Sequence, residues 1–387
     1  MLSLEHVLKG ENMNKYLNEY NEFIKQFNTV GTNVLFHKHD GYTEIVSTGY
    51  ADLENKIPSH KDSIYRIASI SKVIVAIGLL KLYEQGLIDL DEDISKYLGF
   101  KVRNPKFPDV LITLRMVLTQ TSSIIDNGIF ENGIYKGYDG SNCTDDYIPL
   151  QELLTPNSKH FYKGYSDYLP GTNFIYSNLG CGILACVCEK ITNRYFPDYI
   201  IDVLLKPLDI RSGFRLENIE KIENLVGHYN YNNGDFSLYR NYDSFKKVQC
   251  LKYPLGENYR GVAGGLYITA PDLCKIMSML MNKGVYNGIR ILKESTVIEM
   301  EKVQWKGTPT DPTYKAKGLQ MIIMDEFTKS PLKGHFGNAY GLRSFMLYND
   351  LGGLIFLCNG ANFINDVEHM TILQEKVIKF LVEKTNI

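Results

Sequence analysis

Residues 65–82 of the chain read YRIASISKVIVAIGLLKL, and the rest of the sequence is organised around this stretch. Ser69 and Lys72 stand directly before residues 73–80, a run that contains no polar side chain. In a helix, positions three apart lie on one face about one turn from each other. Packing against an apolar helix disfavours the charged form of an amine. A hydroxyl at a helix N-terminus beside such an amine is a candidate nucleophile.

The Ser-x-x-Lys spacing has little value alone, because the chain contains it three times. It occurs at Ser69–Lys72, Ser244–Lys247 and Ser330–Lys333. Only the first precedes a long apolar helix, whereas the other two lie in polar stretches. A capping serine followed by a lysine whose stem covers apolar surface would give the same pattern without any chemistry.

Composition and charge set broad limits on the function. The chain has 387 residues, of which 44% are hydrophobic and 22% charged, as in ordinary globular proteins. Its net charge is -2 and no basic stripe is present, so neither nucleic acid nor an anionic membrane is a predicted partner. The length allows two or three domains, or one larger unit with subdomains.

The N-terminal stretch and the cysteines indicate the cellular compartment of the protein. The first residues, MLSLEHVLKGENMNKYLNEY, contain no apolar core and no small-residue cleavage site, so no signal peptide is expected. The apolar runs at 73–80 and 179–188 are too short to span a bilayer. Seven cysteines at irregular spacings argue against a disulfide framework, and we expect those within 181–188 to be buried and reduced. A cytoplasmic protein is expected.

Hydrophobic patterning places strands near both ends of the chain and helices between them. A helical period covers 13–27, and strands over 33–36 and 43–48 are joined by the hairpin signal Asp40-Gly41. Strands over 342–347 and 354–358 and an amphipathic helix over 366–384 complete the C-terminal part. This order predicts an α+β fold, with an antiparallel sheet closed by both terminal regions and a helical region inserted.

The central part of the chain alternates buried helices with polar excursions. Helices are predicted to begin at Ser69, at Thr113 as an N-cap, and at Tyr176. A strand bearing Gly264 and Gly265 leads into a helix at Pro271. Two excursions rich in tyrosine cover 126–168 and 228–259, the second with a turn at 233–234, and long loops of this kind are often binding loops or lids.

Tyr176-Ser177-Asn178 is the second candidate motif, because it ends the first excursion and opens a buried helix. A phenol is a poor base at its ordinary pKa of about 10. A neighbouring lysine ammonium favours the phenolate, and the two groups then titrate as a coupled pair. A tyrosine at the end of a loop, followed by a capping asparagine, is the structural alternative.

Gly334-His335-Phe336-Gly337-Asn338 is the third candidate motif. Glycines on both sides of His335 would let the strand backbone approach a ligand closely. A backbone N–H there could pair with that of Ser69 as an oxyanion hole. The alternative is a surface histidine beside a bulge.

In this order, the three motifs resemble the serine β-lactamase and penicillin-binding-protein superfamily. The match is best to the branch related to class C β-lactamases, which also contains esterases and D-amino-acid peptidases. Supporting blocks between the motifs are ITLRMVLTQTSSI (112–124), PGTNFIYSNLG (170–180), KPLDI (206–210), AGGLYITAPDL (263–273) and GHFGNAYGLRS (334–344). The likeness covers residues 49–387.

The resemblance implies a role for each matching residue. Ser69 would attack a carbonyl and become acylated, while Lys72 keeps the proton network poised. Tyr176 would relay the serine proton to the leaving group and then activate the deacylating water. Asn178 would hold Lys72 and an amide of the substrate. The implied reaction is that of a serine hydrolase acting through an acyl-enzyme on an ester, amide or lactam.

The third motif departs from the pattern in a way that bears on the substrate. His335 and Gly337 stand where many relatives carry Lys-Thr-Gly, and the N–H groups of Ser69 and Asn338 would form the oxyanion hole. A histidine is mostly neutral at pH 7, which favours esters or peptides over antibiotics. Arg343 could supply the missing charge if it faces the site, and an outward-facing strand arginine is the alternative.

The implied fold is an antiparallel sheet with helices on both faces and an inserted, mainly helical subdomain. One β-lactamase-like domain would cover 1–387, with the sheet subdomain at 1–68 and 255–387, the helical one at 69–254, and the site between them. Gln120 and Ser123 replace the histidine and glycine usual in the branch, so different packing is expected at that turn.

The implied substrate is a small molecule or a peptide, without a cofactor or metal. A catalytically silent binding or regulatory protein that retains the fold is the alternative function. Other hydrolase classes fit poorly, because the chain contains neither Gly-x-Ser-x-Gly nor His-Glu-x-x-His.

Overall fold

A nine-stranded antiparallel sheet forms the centre of the protein, in the order β12-β13-β14-β15-β16-β17-β1-β2-β3. Its structure is a computed structural model that describes residues 13–131, 134–138, 147–247, 253–307, 315–339, 341–362, 365–367 and 370–387. The strands of this sheet are β1 (Gly31–Lys38), β2 (Thr43–Asp52), β3 (Ile57–Pro58), β12 (Trp305–Lys306), β13 (Ala316–Lys317), β14 (Ile322–Met324), β15 (Leu332–Ala339), β16 (Leu342–Tyr348) and β17 (Gly352–Cys358).

The other strands form two-stranded pairs. They are β4 (Ile64–Arg66) with β9 (Tyr267–Thr269), β5 (Asn127–Glu131) with β6 (Ile134–Tyr138), β7 (His228–Asn232) with β8 (Asp235–Arg240), β10 (Val285–Tyr286) with β11 (Ile289–Arg290), and β18 (Asn365–Val367) with β19 (Met370–Thr371). The chain enters the mainly helical region after β4 and leaves it at β9. Because these two strands pair, the entry and exit lie side by side.

Eleven α-helices lie within the described residues. They are α1 (Met13–Ile24), α2 (Ser71–Glu84), α3 (Ile94–Leu98), α4 (Leu114–Thr119), α5 (Leu150–Leu154), α6 (Asn178–Thr192), α7 (Phe196–Ile200), α8 (Tyr242–Lys247), α9 (Ala270–Met281), α10 (Glu294–Glu301) and α11 (Ile372–Thr385). A 3₁₀ turn, Ala68–Ile70, leads directly into α2. None of the helices in the described part combines the length and apolarity needed to cross a bilayer.

Helices cover both faces of the sheet. Successive strand residues point to opposite faces and therefore pack against different helices. On one face, Phe356 of β17 packs in a cluster with Tyr20 of α1 and Val377 of α11. On the other face, Ile355 joins a cluster with Ile74 of α2 and Met277 of α9. The predicted α+β architecture, an antiparallel sheet between helices, is confirmed.

Local turn and capping signals locate several elements as predicted. The β1–β2 hairpin turns at Asp40-Gly41, where Gly41 has a φ of +96°. Asn233 and Gly234, with φ of +49° and +100°, connect β7 to β8 as in a primed turn. Thr113 caps α4 by accepting the N–H of Met116.

Two predicted element boundaries are wrong. Gly264 and Gly265 do not lie in a strand, because the Gly264 N–H bonds to the Gly261 carbonyl in a turn and β9 begins only at Tyr267. The C-terminal helix begins at Ile372 rather than at 366. Its start is set by a capping box of Thr371 and Gln374, a stronger signal than the hydrophobic period.

The two polar excursions contain structure of their own. The first includes the β5–β6 hairpin and α5, with 132–133 and 139–146 outside the described residues. The second includes β7, β8 and α8, with 248–252 outside them. The five described cysteines are free and buried, and Cys143 and Cys250 fall outside the description, as do residues 1–12. No group of three metal-binding side chains occurs among the described residues.

Candidate active site

Ser69 lies in the 3₁₀ turn that precedes α2. Its side chain is partly exposed, whereas both neighbours, Ala68 and Ile70, are buried. Ala68 has a φ of +48°, a left-handed conformation that is uncommon for a residue with a Cβ. Such local strain is concentrated at functional sites, and here it lies directly before Ser69. No residue type in the sequence signals this, because alanine occupies the strained position.

Lys72 is fully buried beneath Ser69 and makes three polar contacts. Its Nζ donates to Ser69 Oγ at 3.0 Å, to Asn178 Oδ1 at 2.8 Å and to the Ala263 carbonyl at 3.0 Å. These three acceptors match the three N–H donors of an ammonium group. The predicted pair of hydroxyl and amine on one helical face is therefore in hydrogen-bond contact.

Tyr176 completes the contacts to the serine, 107 positions further along the chain. Its hydroxyl donates to Ser69 Oγ at 2.7 Å, and Lys72 Nζ lies 4.8 Å from its ring centroid. Burial raises the pKa of Tyr176 above its ordinary value, and the bond to Ser69 opposes this only in part. Burial, the largest cause, therefore favours the neutral phenol, and the coupling of Tyr176 with Lys72 stays a prediction.

The start of α6 is held by Asp126, a residue that the sequence analysis missed. Its Oδ1 accepts from Ser177 Oγ at 3.0 Å and from the Leu179 N–H at 2.9 Å, and its Oδ2 accepts from Asn178 Nδ2 at 3.1 Å. Burial raises the pKa of Asp126. The helix cap is Ser177, so the capping-asparagine alternative is wrong. An isolated aspartate in a polar excursion carries no signal of such pairing.

The turn containing Gln120 and Ser123 accommodates both atypical residues. Gln120 ends α4 with a φ of +59°, and its side chain accepts the Ser177 N–H at 3.2 Å and donates to Gln320 at 3.0 Å. Ser123 has a φ of +64°, and its Oγ accepts from Asn104 at 3.0 Å. Both side chains are thus buried and hydrogen-bonded, and Gln120 bonds directly to the residue that follows Tyr176.

His335 lies on β15 close to Tyr176, with 6.3 Å between the ring centroids. It is 1% exposed, so the surface-histidine alternative is wrong. Its Nδ1 lies 2.6 Å from the Phe336 carbonyl, which can only accept, so Nδ1 carries the hydrogen. A Cβ on Gly337 would lie 2.3 Å from the Ile67 carbonyl. The glycine therefore lets β15 pack directly on the turn that carries Ser69.

Asn338 and Arg343 have their side chains on the face of the sheet opposite to that of His335. The two residues are paired across β15 and β16, and Asn338 Oδ1 accepts from Gln374 of α11 at 2.8 Å. Arg343 pairs in register with Cys358, is 5% exposed, and has its pKa lowered by burial to about 10. The structure thus does not bring the Arg343 guanidinium to Ser69.

The geometry around Ser69 Oγ limits its chemistry. A serine oxygen that attacks a carbonyl must lose its proton, and the groups within reach are the Tyr176 hydroxyl and the Lys72 amine. An adjacent base of this kind is what activates a hydroxyl nucleophile. The same amine also donates to Asn178, which is bonded in turn to Asp126. The arrangement is suited to acyl transfer.

Comparison with known proteins finds relatives that share part of the sequence. The chain is 27% identical over 202 residues to penicillin-binding protein 4* of Bacillus subtilis, covering 52% of this chain and 39% of that protein. The matches to curated relatives span 34% to 39% of those relatives' own length.

Two solved structures share the fold along nearly the whole chain. D-amino acid amidase from Ochrobactrum anthropi SV3 has a TM-score of 0.71 at 21% identity, covering 97% of this chain and 98% of that one. EstCE1, a hydrolase with promiscuous acyltransferase activity, has a TM-score of 0.73 at 20% identity, covering 96% and 98%. The beta-lactamase family model matches residues 21–377. The chain therefore belongs to the beta-lactamase family.

Proposed function

We propose that the protein is a serine hydrolase that forms an acyl-enzyme at Ser69. The observation that carries this proposal is the placement of Ser69 Oγ within hydrogen-bond distance of both Lys72 and Tyr176. Hydrolysis would proceed in two steps. Ser69 Oγ bonds to the substrate carbonyl and the leaving group departs, and then water cleaves the new ester.

In this scheme Lys72 and Tyr176 together accept and donate the protons that move. One of the two must be deprotonated when Ser69 attacks, and it accepts the serine proton. Tyr176 then passes a proton to the leaving group and later receives one from the deacylating water. Because Lys72 Nζ lies 4.8 Å from the Tyr176 ring centroid, we expect the ionisation that controls the rate to involve both groups.

We propose an uncharged ester or an amide, including a peptide, as the preferred substrate, with a lactam as the less favoured one. His335 is near Tyr176 and buried, so it is a weaker partner for a substrate carboxylate than a lysine would be. The N–H groups of Ser69 and Asn338 would form the oxyanion hole, supported by the close packing of Gly337 on the Ser69 turn. A D-amino acid amidase and a hydrolase with acyltransferase activity share the fold, which supports acyl-transfer chemistry for this chain.

Covalent labelling tests this proposal. Wild-type protein should be labelled by a fluorophosphonate, with a mass increase on the peptide that contains Ser69. The Ser69→Ala variant should lose both labelling and turnover of a p-nitrophenyl ester series, D-alanyl p-nitroanilide and a chromogenic cephalosporin, because it lacks the hydroxyl that contacts Lys72 and Tyr176. A Ser330→Ala variant, from the third Ser-x-x-Lys match, serves as the control and should behave as wild type. Undiminished labelling of Ser69→Ala would end the proposal.

A further inference from the structure

The carboxylate of Asp126 bonds to three consecutive residues behind the proposed site. It accepts from Ser177, Asn178 and Leu179, all within 3.1 Å. These residues directly follow Tyr176 and form the first turn of α6. The carboxylate therefore fixes the backbone that carries Tyr176 and the side chain that contacts Lys72.

The chemistry of the three groups decides how the Asn178 amide is turned. An ionised carboxylate can only accept hydrogen bonds, and an ammonium can only donate them. With Nδ2 of Asn178 directed at Asp126, Oδ1 is left to accept from Lys72 at 2.8 Å. The reversed amide would place its NH₂ group against the ammonium. Asp126 thus selects the orientation that the Lys72 contact requires.

We propose that Asp126 is a positioning residue for hydrolysis, acting through Asn178 to hold Lys72 against Ser69 Oγ. This inference rests on the proposed function. Asp126 also stands directly before β5, at the start of the first polar excursion. The same carboxylate therefore ties the position of that excursion to the geometry of the site, 51 to 53 positions further along the chain.

The test uses Asp126→Asn, which keeps the size of the side chain. An amide has one oxygen in place of two, so its NH₂ group faces an N–H donor whichever way it is turned. We expect the rate of Ser69 labelling by the fluorophosphonate to fall about 100-fold, the usual scale of loss when a reacting group is misplaced by about 1 Å.

Glu189→Gln is a matched control. Glu189 is buried and lies on α6, and like Asp126 it accepts three hydrogen bonds, from the Phe196 N–H, the Gly256 N–H and Asn258 Nδ2. It lies eleven positions beyond Asn178, roughly 16 Å along the helix. A loss caused only by weaker packing of α6 would appear in both variants, whereas we expect Glu189→Gln to be labelled at the wild-type rate.

A double-mutant cycle separates positioning from general stability. If Asp126 acts through Asn178, Asp126→Asn should cause no further loss in an Asn178→Ala background, whereas independent effects would multiply to within about twofold. Circular dichroism checks the folding of each variant, and Asp126→Glu replaces Asp126→Asn in the cycle if the latter does not fold. The positioning role would be overturned if the losses in labelling rate multiply in the double variant, or if Asp126→Asn is labelled within about twofold of the wild-type rate. No labelling of wild type would instead overturn the proposed function.

Discussion

At the scale of single residues, a second buried lysine lies close to the candidate site. Lys317 on β13 is fully buried, with its Nζ 5.3 Å from the ring centroid of Phe174, two positions before Tyr176. Burial, together with the positive charge of Lys72, lowers the pKa of Lys317 to about 7. The fold therefore contains a lysine whose charged form is disfavoured next to another cation.

The protonation of Lys317 should make the free energy of unfolding depend on pH. In the unfolded chain its pKa is near 10.5, so between about pH 7 and 10 the unfolded state holds the proton more tightly. This contribution makes the folded state more stable as the pH rises through that range. Lys317→Met should remove that rise and stabilise the protein at pH 7 by at most about 5 kcal/mol, since one pKa unit corresponds to about 1.4 kcal/mol.

Urea unfolding of wild type and Lys317→Met at pH 7 and pH 9.5 measures this effect. Lys315→Met is the control, because Lys315 is exposed and lies only two positions away. Equal pH dependence of wild type and Lys317→Met would contradict the argument. The comparison of variants cancels the titration of other groups.

At the scale of elements, the contact between β15 and the Ser69 turn joins the sheet to the helical region. A Cβ on Gly337 would lie 2.3 Å from the Ile67 carbonyl, which is closer than real Cβ contacts. Either the strand or the turn must then move. We expect Gly337→Ala to lower the free energy of unfolding by about 1–3 kcal/mol, the usual cost of overpacking, and to slow Ser69 labelling as well.

Gly180→Ala provides the matched comparison for this prediction. Its Cβ would make only ordinary contacts, 3.5 Å from Ser177, within the first turn of α6. Because alanine is favoured over glycine in a helix, this variant should be equally or more stable. If chemical denaturation and labelling show no difference between Gly337→Ala and Gly180→Ala, the contact does not constrain the site.

The elements differ in how far local sequence determines them. The turn at Asp40-Gly41 and the Thr113 cap depend on neighbouring residues, and such signals are readable directly. The face on which Arg343 lies depends on its register against Asn338 and Cys358, which no local pattern specifies. For the same reason, the contact of Asp126 with Asn178 appears only once the chain is folded.

The candidate site was predictable where each motif opens an element. Ser69 and Lys72 lie about one helical turn apart at the start of an apolar helix, so their contact follows from that spacing together with the helix. Tyr176 could be placed with them only through the family resemblance, because 107 residues separate it from Ser69. The burial of His335 was not predictable, since its flanking glycines indicated backbone approach without saying what approaches.

At the scale of the whole molecule, one hydrophobic cluster crosses the boundary between sheet and helical region. It contains Leu35 and Ile355 from the sheet together with Leu184 and Val187 of α6. We propose that the two subdomains form one cooperative unit, because neither can separate without exposing this shared core.

Trp305, the single tryptophan, makes this cooperativity measurable. It lies on β12 of the sheet, and its Nε1 donates to the Thr172 carbonyl in the segment that leads to Tyr176. Far-UV circular dichroism reports mainly on the helices. We expect the fluorescence of Trp305 and the far-UV circular dichroism to change at the same urea concentration. Repeating the measurement at more than one protein concentration excludes dissociation as the cause. Separate midpoints would show that the subdomains unfold independently.

The packing of Gly337 on the turn before Ser69 also divides the site into two parts that are held differently. Ser69 and Lys72 lie on a turn and helix that follow one another in the chain, and the backbone of β15 contacts that turn directly. Tyr176 and Asn178 instead belong to a segment held by side-chain bonds to Asp126 and Gln120. The contact between the serine and the lysine is therefore set within one stretch of chain, whereas the contact between the phenol and the serine depends on how α6 is placed against that stretch.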